Sequence, residues 1–212
     1  TQYLKRILTA RVYDVAEETP LELAPQLSER LGNTLLLKRE DMQQVFSFKL
    51  RGAYNKISSI PQDQRSGGVV AFSSGNHAQG VAAAAKILNM QATIVMPADS
   101  PLTKRERTKS YGAEVVLYDR DKEDREAIAN GIAGKRGATL VRPYDDPFVI
   151  AGQGTVGREI AEDMTALGLA PDIVVAPASG GGLIAGVATA VKAKFPQAQV
   201  IVAEPKDYDD HG

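Results

Sequence analysis

From about residue 34 onward the chain alternates short apolar, β-branched runs with longer stretches whose apolar positions recur at helical spacing. TLLLK, GVVAF, ATIVM, AEVVLY, ATLV, DIVVAPA and QVIVAE predict strands, each bounded by glycine, proline or polar residues. Helices are predicted between them over 50–60, 77–88, 102–111, 122–135, 149–167 and 183–195. Such alternation defines an α/β protein whose sheets are mostly parallel and joined by crossover helices. No repeat beyond the βα unit and no low-complexity linker interrupts it. Two polar turns, SSGNH after GVVAF and ASGGG after DIVVAPA, close strands at their carboxyl ends, the edge where open α/β sheets take ligands. The chain ends at YDDHG, soon after an apolar strand and with no helix to cover it, so the last sheet is expected to be truncated at residue 212.

Composition narrows the classes. With 212 residues, 43% hydrophobic and 24% charged, the chain is long enough for a substantial core. Its 25 basic and 26 acidic residues leave a formal charge of -1, which offers no global field to nucleic acid or an anionic membrane. An anionic ligand must therefore be held by local geometry. Cysteine is absent, which excludes disulfides, thiolate metal sites and cysteine nucleophiles and suits a reducing cytoplasm. No apolar run has transmembrane length, and the charged start TQYLKRILTARVYD is not a signal peptide, so the expected location is cytoplasmic.

Four stretches carry candidate chemistry. In ASGGGLIAG, Gly180, Gly181 and Gly182 join a predicted strand to a predicted helix, so backbone N–H groups can approach an anion at a helix N-terminus. A tight turn with nothing bound is the plain alternative. The same loop matches G-x-G-x-x-G/A through Ala185, with Glu204 ending the next strand, which keeps a nicotinamide-dependent oxidoreductase open. A second match, AGQGTVG, reads better as a helix that uses small residues for close packing. Lys49 lies among Phe46, Phe48 and Leu50; either it snorkels to water, or burial lowers its pKa and makes it a nucleophilic amine. In SSGNHAQG, Asn76 and His77 open a helix, as a cap and a satisfied polar residue or as ligand-binding groups. With two histidines in all, no histidine-rich metal site can form. The tail AEPKDYDDHG is either a solvated acidic loop or an oxygen-rich site for Mg²⁺ or Ca²⁺, and LTKRERTKSYG reads as a solvated helix face.

In order and spacing, SFKLRGAY, SSGNHAQG, YDDPFVIAGQGT and SGGGLIAG resemble the threonine/serine dehydratase and serine racemase family of fold-type II pyridoxal-phosphate enzymes. That resemblance, running from about Ile7 to the last residue, implies a tryptophan synthase β-like fold with two open α/β domains. The large domain would comprise 1–66 and 146–212 and remain incomplete; the small domain would span 67–145 and move over the substrate. It further implies that Lys49 forms the internal aldimine with pyridoxal 5′-phosphate, that Phe48 lies beside the cofactor ring, and that Asn76 bonds its 3′ oxygen. Ser179, Gly180, Gly181, Gly182 and Leu183 would hold the phosphate, with Ser179 standing where many relatives have a fourth glycine. Ser73, Ser74, Gly75, Asn76 and His77 would receive the substrate carboxylate. Glu204, Tyr208 and Asp210 match the divalent-cation site of the racemase and hydroxyaspartate dehydratase branch.

The implied activity is dehydration and deamination of L-threonine to 2-oxobutyrate and ammonia, and of L-serine to pyruvate, by a homo-oligomer acting on a small amino acid. Ser74 marks the rival within the family, because a racemase needs a proton donor on each face and serine at this position supplies the second. A dehydratase needs one base, the looser constraint, and is ranked first. Serine racemase, 3-hydroxyaspartate dehydratase and an inactive cofactor-binding fragment stay as alternatives, since the family's group facing the pyridine nitrogen comes from a strand beyond Gly212.

Overall fold

A computed structural model of the chain describes residues 1–206. It begins with α1 (Gln2–Leu8), then a hairpin of β1 (Leu21–Leu23) and β2 (Leu36–Lys38) that encloses α2 (Pro25–Leu31). The hydrophobic pattern does not reveal the first part of this region, because β1 is three residues long and lies between Pro20 and Pro25. Pro25 occupies the first turn of α2, where its missing N–H costs nothing, and Gly32 ends the helix at φ 59°. β1 and β2 pair antiparallel, from Leu21 opposite Lys38 to Leu23 opposite Leu36, so the sheets of the molecule are mixed.

After α3 (Lys49–Ser58) come β3 (Val69–Phe72), α4 (Asn76–Ile87), β4 (Ala92–Pro97), α5 (Leu102–Ser110), β5 (Glu114–Tyr118), α6 (Arg125–Arg136) and β6 (Thr139–Leu140). Their strands form one parallel sheet in the order β5-β4-β3-β6. Both faces of this sheet are covered, which is why VVAF is wholly buried and shows no polar alternation. Val69, Ala71, Ile94 and Met96 share a core with Leu50, Ala53 and Ile57 of α3 and the alanines of α4. Val70, Phe72 and Val95 pack on the other face against Ala129 and Ala133 of α6.

α7 (Pro147–Ala166), β7 (Ile173–Pro177), α8 (Gly182–Lys194) and β8 (Gln199–Ala203) complete the described chain, with β7 and β8 parallel in their own two-stranded sheet. Caps correct two predicted helix starts. Asp124 accepts from the N–H groups of Glu126 and Ala127, moving α6 from 122 to Arg125, and Asp146 caps Phe148 and Val149, with Pro147 beginning α7. AGQGTVG lies inside α7 as a close-packing stripe: a Cβ on Gly152 would fall 2.6 Å from the Arg51 carbonyl oxygen, and one on Gly157 2.7 Å from Val187 Cα.

A buried ionic cluster fixes α3 between these parts. The fully buried Arg51 donates from Nε and Nη2 to the two Glu40 carboxylate oxygens, both at 2.8 Å, from Nη1 to Thr155 at 3.1 Å, and to both oxygens of Glu159. Lys38 also reaches Glu159 and Asp163, each at 2.9 Å. Burial works against the charge on Arg51, but the paired carboxylates of Glu40 and Glu159 outweigh it and raise the guanidinium pKa. The first turn of α3 is thereby held by α7 and by Glu40 in the turn that follows β2.

Candidate active site

Strand order reverses at β3: α4 and α5 lead the chain outward to β4 and β5, and α6 then returns it to β6 on the other side of β3. A crevice outside the carboxyl ends of β3 and β6 is the ligand position such a reversal creates. SSGNH leaves β3 there, and Val141 to Tyr144 leaves β6 beside it. His77 Nε2 lies 2.9 Å from the Val141 carbonyl oxygen, so the nitrogen carrying hydrogen in this contact is Nε2. Burial, then the nearby Lys49 charge, push the His77 pKa down to about 4, and the imidazole is neutral at ordinary pH.

Two residues further along the same exit, the Pro143 carbonyl accepts a hydrogen bond from Lys49 Nζ at 2.7 Å. Lys49 is the first residue of α3 and half-buried, with its ammonium 5.3 Å from the centre of the Phe48 ring. Burial lowers its pKa from 10.5 to about 8. Gly80 of α4 permits this placement, since a Cβ there would meet the Lys49 backbone at 3.0 Å. The next residue on the exit, Tyr144, packs on the glycine loop so closely that a Cβ on Gly180 would fall 2.0 Å from its ring and one on Gly182 2.9 Å from its carbonyl oxygen.

Val141, Pro143 and Tyr144 thus touch all three polar motifs. None was singled out from sequence as a site residue, and for two of them the signal is a backbone carbonyl that any residue would carry. Tyr144, Asp145, Ile150 and Gly180 to Gly182 line a cavity of about 360 Å³. A larger opening of about 730 Å³, lined by Asp63, Asn130, Arg136 and Thr139 among others, lies at the amino ends of β3 and β6 and includes none of the motif residues.

The two helices that begin at the crevice lack side-chain caps. Gly75 precedes α4 and Gly181, at φ 76°, precedes α8, and neither helix start receives a side-chain hydrogen bond. Their first N–H groups and partial positive charge suit anions. Ser73 Oγ accepts from Gly75 N at 3.2 Å; Ser74 is half-buried and Asn76 exposed at the first position of α4. Ser179 is exposed at the start of the glycine loop, while Leu183 and Phe48 pack against the same cluster around Val156 and Val187. Phe48, next to Lys49 in sequence, and Leu183 at the start of α8 therefore meet on that cluster. Glu204 follows β8 and is half-buried; Tyr208 and Asp210 lie outside the described residues. Among the described residues, no group of three or more His, Asp or Glu side chains is arranged to hold a metal ion, and no helix is long and apolar enough to cross a membrane.

A neutralisable amine, a side-chain-free cradle at an uncapped helix, and a flat aromatic flank together fit an aldehyde-bearing aromatic phosphate. The family model for pyridoxal-phosphate dependent enzymes matches residues 12–212, and the chain belongs to that family. Over 206 residues it is 50% identical to the chloroplastic biosynthetic threonine dehydratase of Arabidopsis thaliana, covering 97% of this chain and 34% of that protein. It is 44% identical to the biosynthetic L-threonine dehydratase of Pasteurella multocida, covering 97% and 39%. The structure superposes on processed threonine deaminase isoform 2 of Solanum lycopersicum with a TM-score of 0.89 at 48% identity, covering 96% of this chain and 55% of that one. For maize serine racemase the values are 0.91 and 38%, with 99% and 62% covered. The chain thus spans little more than a third of the length of these curated dehydratases.

Proposed function

We propose that the protein is a pyridoxal-phosphate-dependent lyase that converts L-threonine to 2-oxobutyrate and ammonia, and L-serine to pyruvate and ammonia. The observation that carries this proposal is the half-buried Lys49 amine, lowered to about 8, held by the strand exit that also seats Tyr144 on the glycine loop. Pyridoxal phosphate, when bound, supplies an aldehyde that condenses with amines and a ring that spreads the charge left at the substrate α-carbon.

The chain's own residues do the rest. Backbone N–H groups of Gly180, Gly181, Gly182 and Leu183, with the Ser179 hydroxyl, would hold the phosphate at the start of α8. Phe48 would flank the ring and Asn76 would bond its oxygen. Ser73 to His77 would bind the substrate carboxylate at the uncapped start of α4, with His77 neutral there, so that hydrogen-bond donors rather than a side-chain cation receive it. Lys49, half deprotonated near pH 8, would take the α-proton. Water leaves with the β-hydroxyl and one water returns when ammonia is released, so the atoms balance.

A second outcome at the same site is racemisation, favoured by the half-buried Ser74 hydroxyl and by the likeness to maize serine racemase. The full-length protein, supplied with pyridoxal phosphate, should form 2-oxobutyrate from L-threonine and more pyruvate than D-serine from L-serine. Dominant D-serine formation that disappears in Ser74→Ala would make it a racemase instead, and no keto acid from any β-hydroxy amino acid would refute the lyase.

We further propose a homo-oligomer in the cytoplasm with Mg²⁺ or Ca²⁺ held by Glu204, Tyr208 and Asp210. Sedimentation at several protein concentrations tests the first. Calorimetric titration with each cation, on the parent and on Glu204→Gln, tests the last.

A further inference from the structure

Phe46 is out of character twice. Its φ of 58° places a bulky residue in the left-handed region that glycine prefers, and its side chain is large, apolar and 60% exposed. A turn from Gln43 to Phe46, closed by a 2.7 Å bond from Phe46 N to the Gln43 carbonyl, reverses the chain three residues before Lys49. The buried Gln43 amide anchors the other end of that turn on the Glu17 backbone. What holds the exposed ring comes from elsewhere: the Arg107 guanidinium of α5 lies 5.1 Å from its centre.

Among the described residues Arg107 forms no ion pair, and its neighbour Glu106 is taken by Lys109 at 3.1 Å. The polar groups flanking this contact are not at their hydrogen-bonding optimum. Ser47 Oγ beside Phe46, Arg105 Nε on α5 and Ser100 Oγ just before α5 are all buried without a partner. Unpaired buried groups of this kind are costly, so this contact is not held by a closed hydrogen-bond network. LTKRERTKS is thus more than a solvated face, because one of its cations reaches the approach to the reactive lysine.

We propose that Phe46 is a positioning residue: clamped by Arg107, its ring transmits the seating of α5 to Lys49 three positions along the chain. Arg51 fixes Lys49 from inside the molecule, and the Phe46–Arg107 pair fixes the approach from outside. The proposal rests on Lys49 being the amine that binds the cofactor. Loosening the clamp frees the 43–48 turn and slows capture of pyridoxal phosphate without unfolding the protein.

The test compares Arg107→Ala, Arg107→Lys and Phe46→Gly with the parent by hydrogen exchange, melting temperature and the rate at which the visible band of bound pyridoxal phosphate appears. In Arg107→Ala, exchange over 43–49 should quicken by about two- to fivefold, the range expected for loss of an exposed cation–aromatic contact. Its band should appear more slowly at an unchanged melting temperature, and Arg107→Lys should restore both. Phe46→Gly removes ring and strain together, so it should slow the band while melting no lower than the parent. Parental exchange and band kinetics in Arg107→Ala would overturn the proposal, as would a slow band in Phe46→Gly that only follows a lower melting temperature. A parent whose band survives Lys49→Ala would instead refute the assignment of Lys49, and the positioning role with it.

Discussion

Lys49 Nζ donates to the Pro143 carbonyl oxygen at 2.7 Å, joining the start of α3 to the exit of β6 across 94 positions of the chain. The bond gives a half-buried ammonium one carbonyl dipole and no carboxylate, so burial dominates and the amine titrates near 8. An unfolded lysine keeps its proton to about 10.5. Between those values the unfolded chain binds more protons than the folded one, and stability rises with pH. Urea midpoints of the parent relative to Lys49→Met should climb from pH 8 to 10.5; a flat difference would mean that the amine is solvated.

His77 carries the same argument to acid pH. Its imidazole is charged below 6.5 when unfolded but only near 4 when folded. Stability contributed by neutral His77 is therefore complete above 6.5 and lost as pH falls toward 4. His77→Gln, whose amide can still donate to Val141, should remove that part of the acid sensitivity, read as the difference between the two denaturation profiles.

The glycine loop separates two kinds of crowding. A Cβ on Gly180 would meet the Tyr144 ring, which can swing away, whereas one on Gly182 would meet Tyr144 backbone, which cannot. Gly182→Ala should cost about 1–3 kcal/mol in stability, typical of overpacking. Gly180→Ala should cost less, and Tyr144→Ala should relieve Gly180→Ala while leaving Gly182→Ala unrelieved. Thermal melting of the two double variants checks this.

Arg51 should be among the least replaceable charged residues. Removing it takes the guanidinium from Glu40 and leaves Glu159 with Lys38 and Tyr13 alone, a loss of about 3–5 kcal/mol for a broken buried pair. By contrast Arg120, paired with Asp99 where both side chains are more than half exposed, should contribute less than about 1 kcal/mol. Chemical denaturation of Arg51→Ala and Arg120→Ala makes the comparison.

How much could be read from sequence follows from these contacts. The strands from TLLLK to QVIVAE are legible because continuous apolar runs have few other solutions, and turn residues mark their ends. α1, β1 and α2 escape notice because elements of seven, three and seven residues leave too short a period to count. Lys49, SSGNH and the three glycines stand out as unusual residue types for a strand-to-helix junction. The bonds that unite them do not, since Val141 and Pro143 act through carbonyl oxygens and Tyr144 by where it lies. Phe46 is hidden for the opposite reason: nothing in its residue type announces a positive φ.

The most direct test of the whole account is the absorbance spectrum of the protein with pyridoxal phosphate, recorded beside that of Lys49→Ala. A visible band in the parent that resists dialysis and is absent from the variant is the expected result. A band of equal strength in both proteins, or none in the full-length parent, would contradict it.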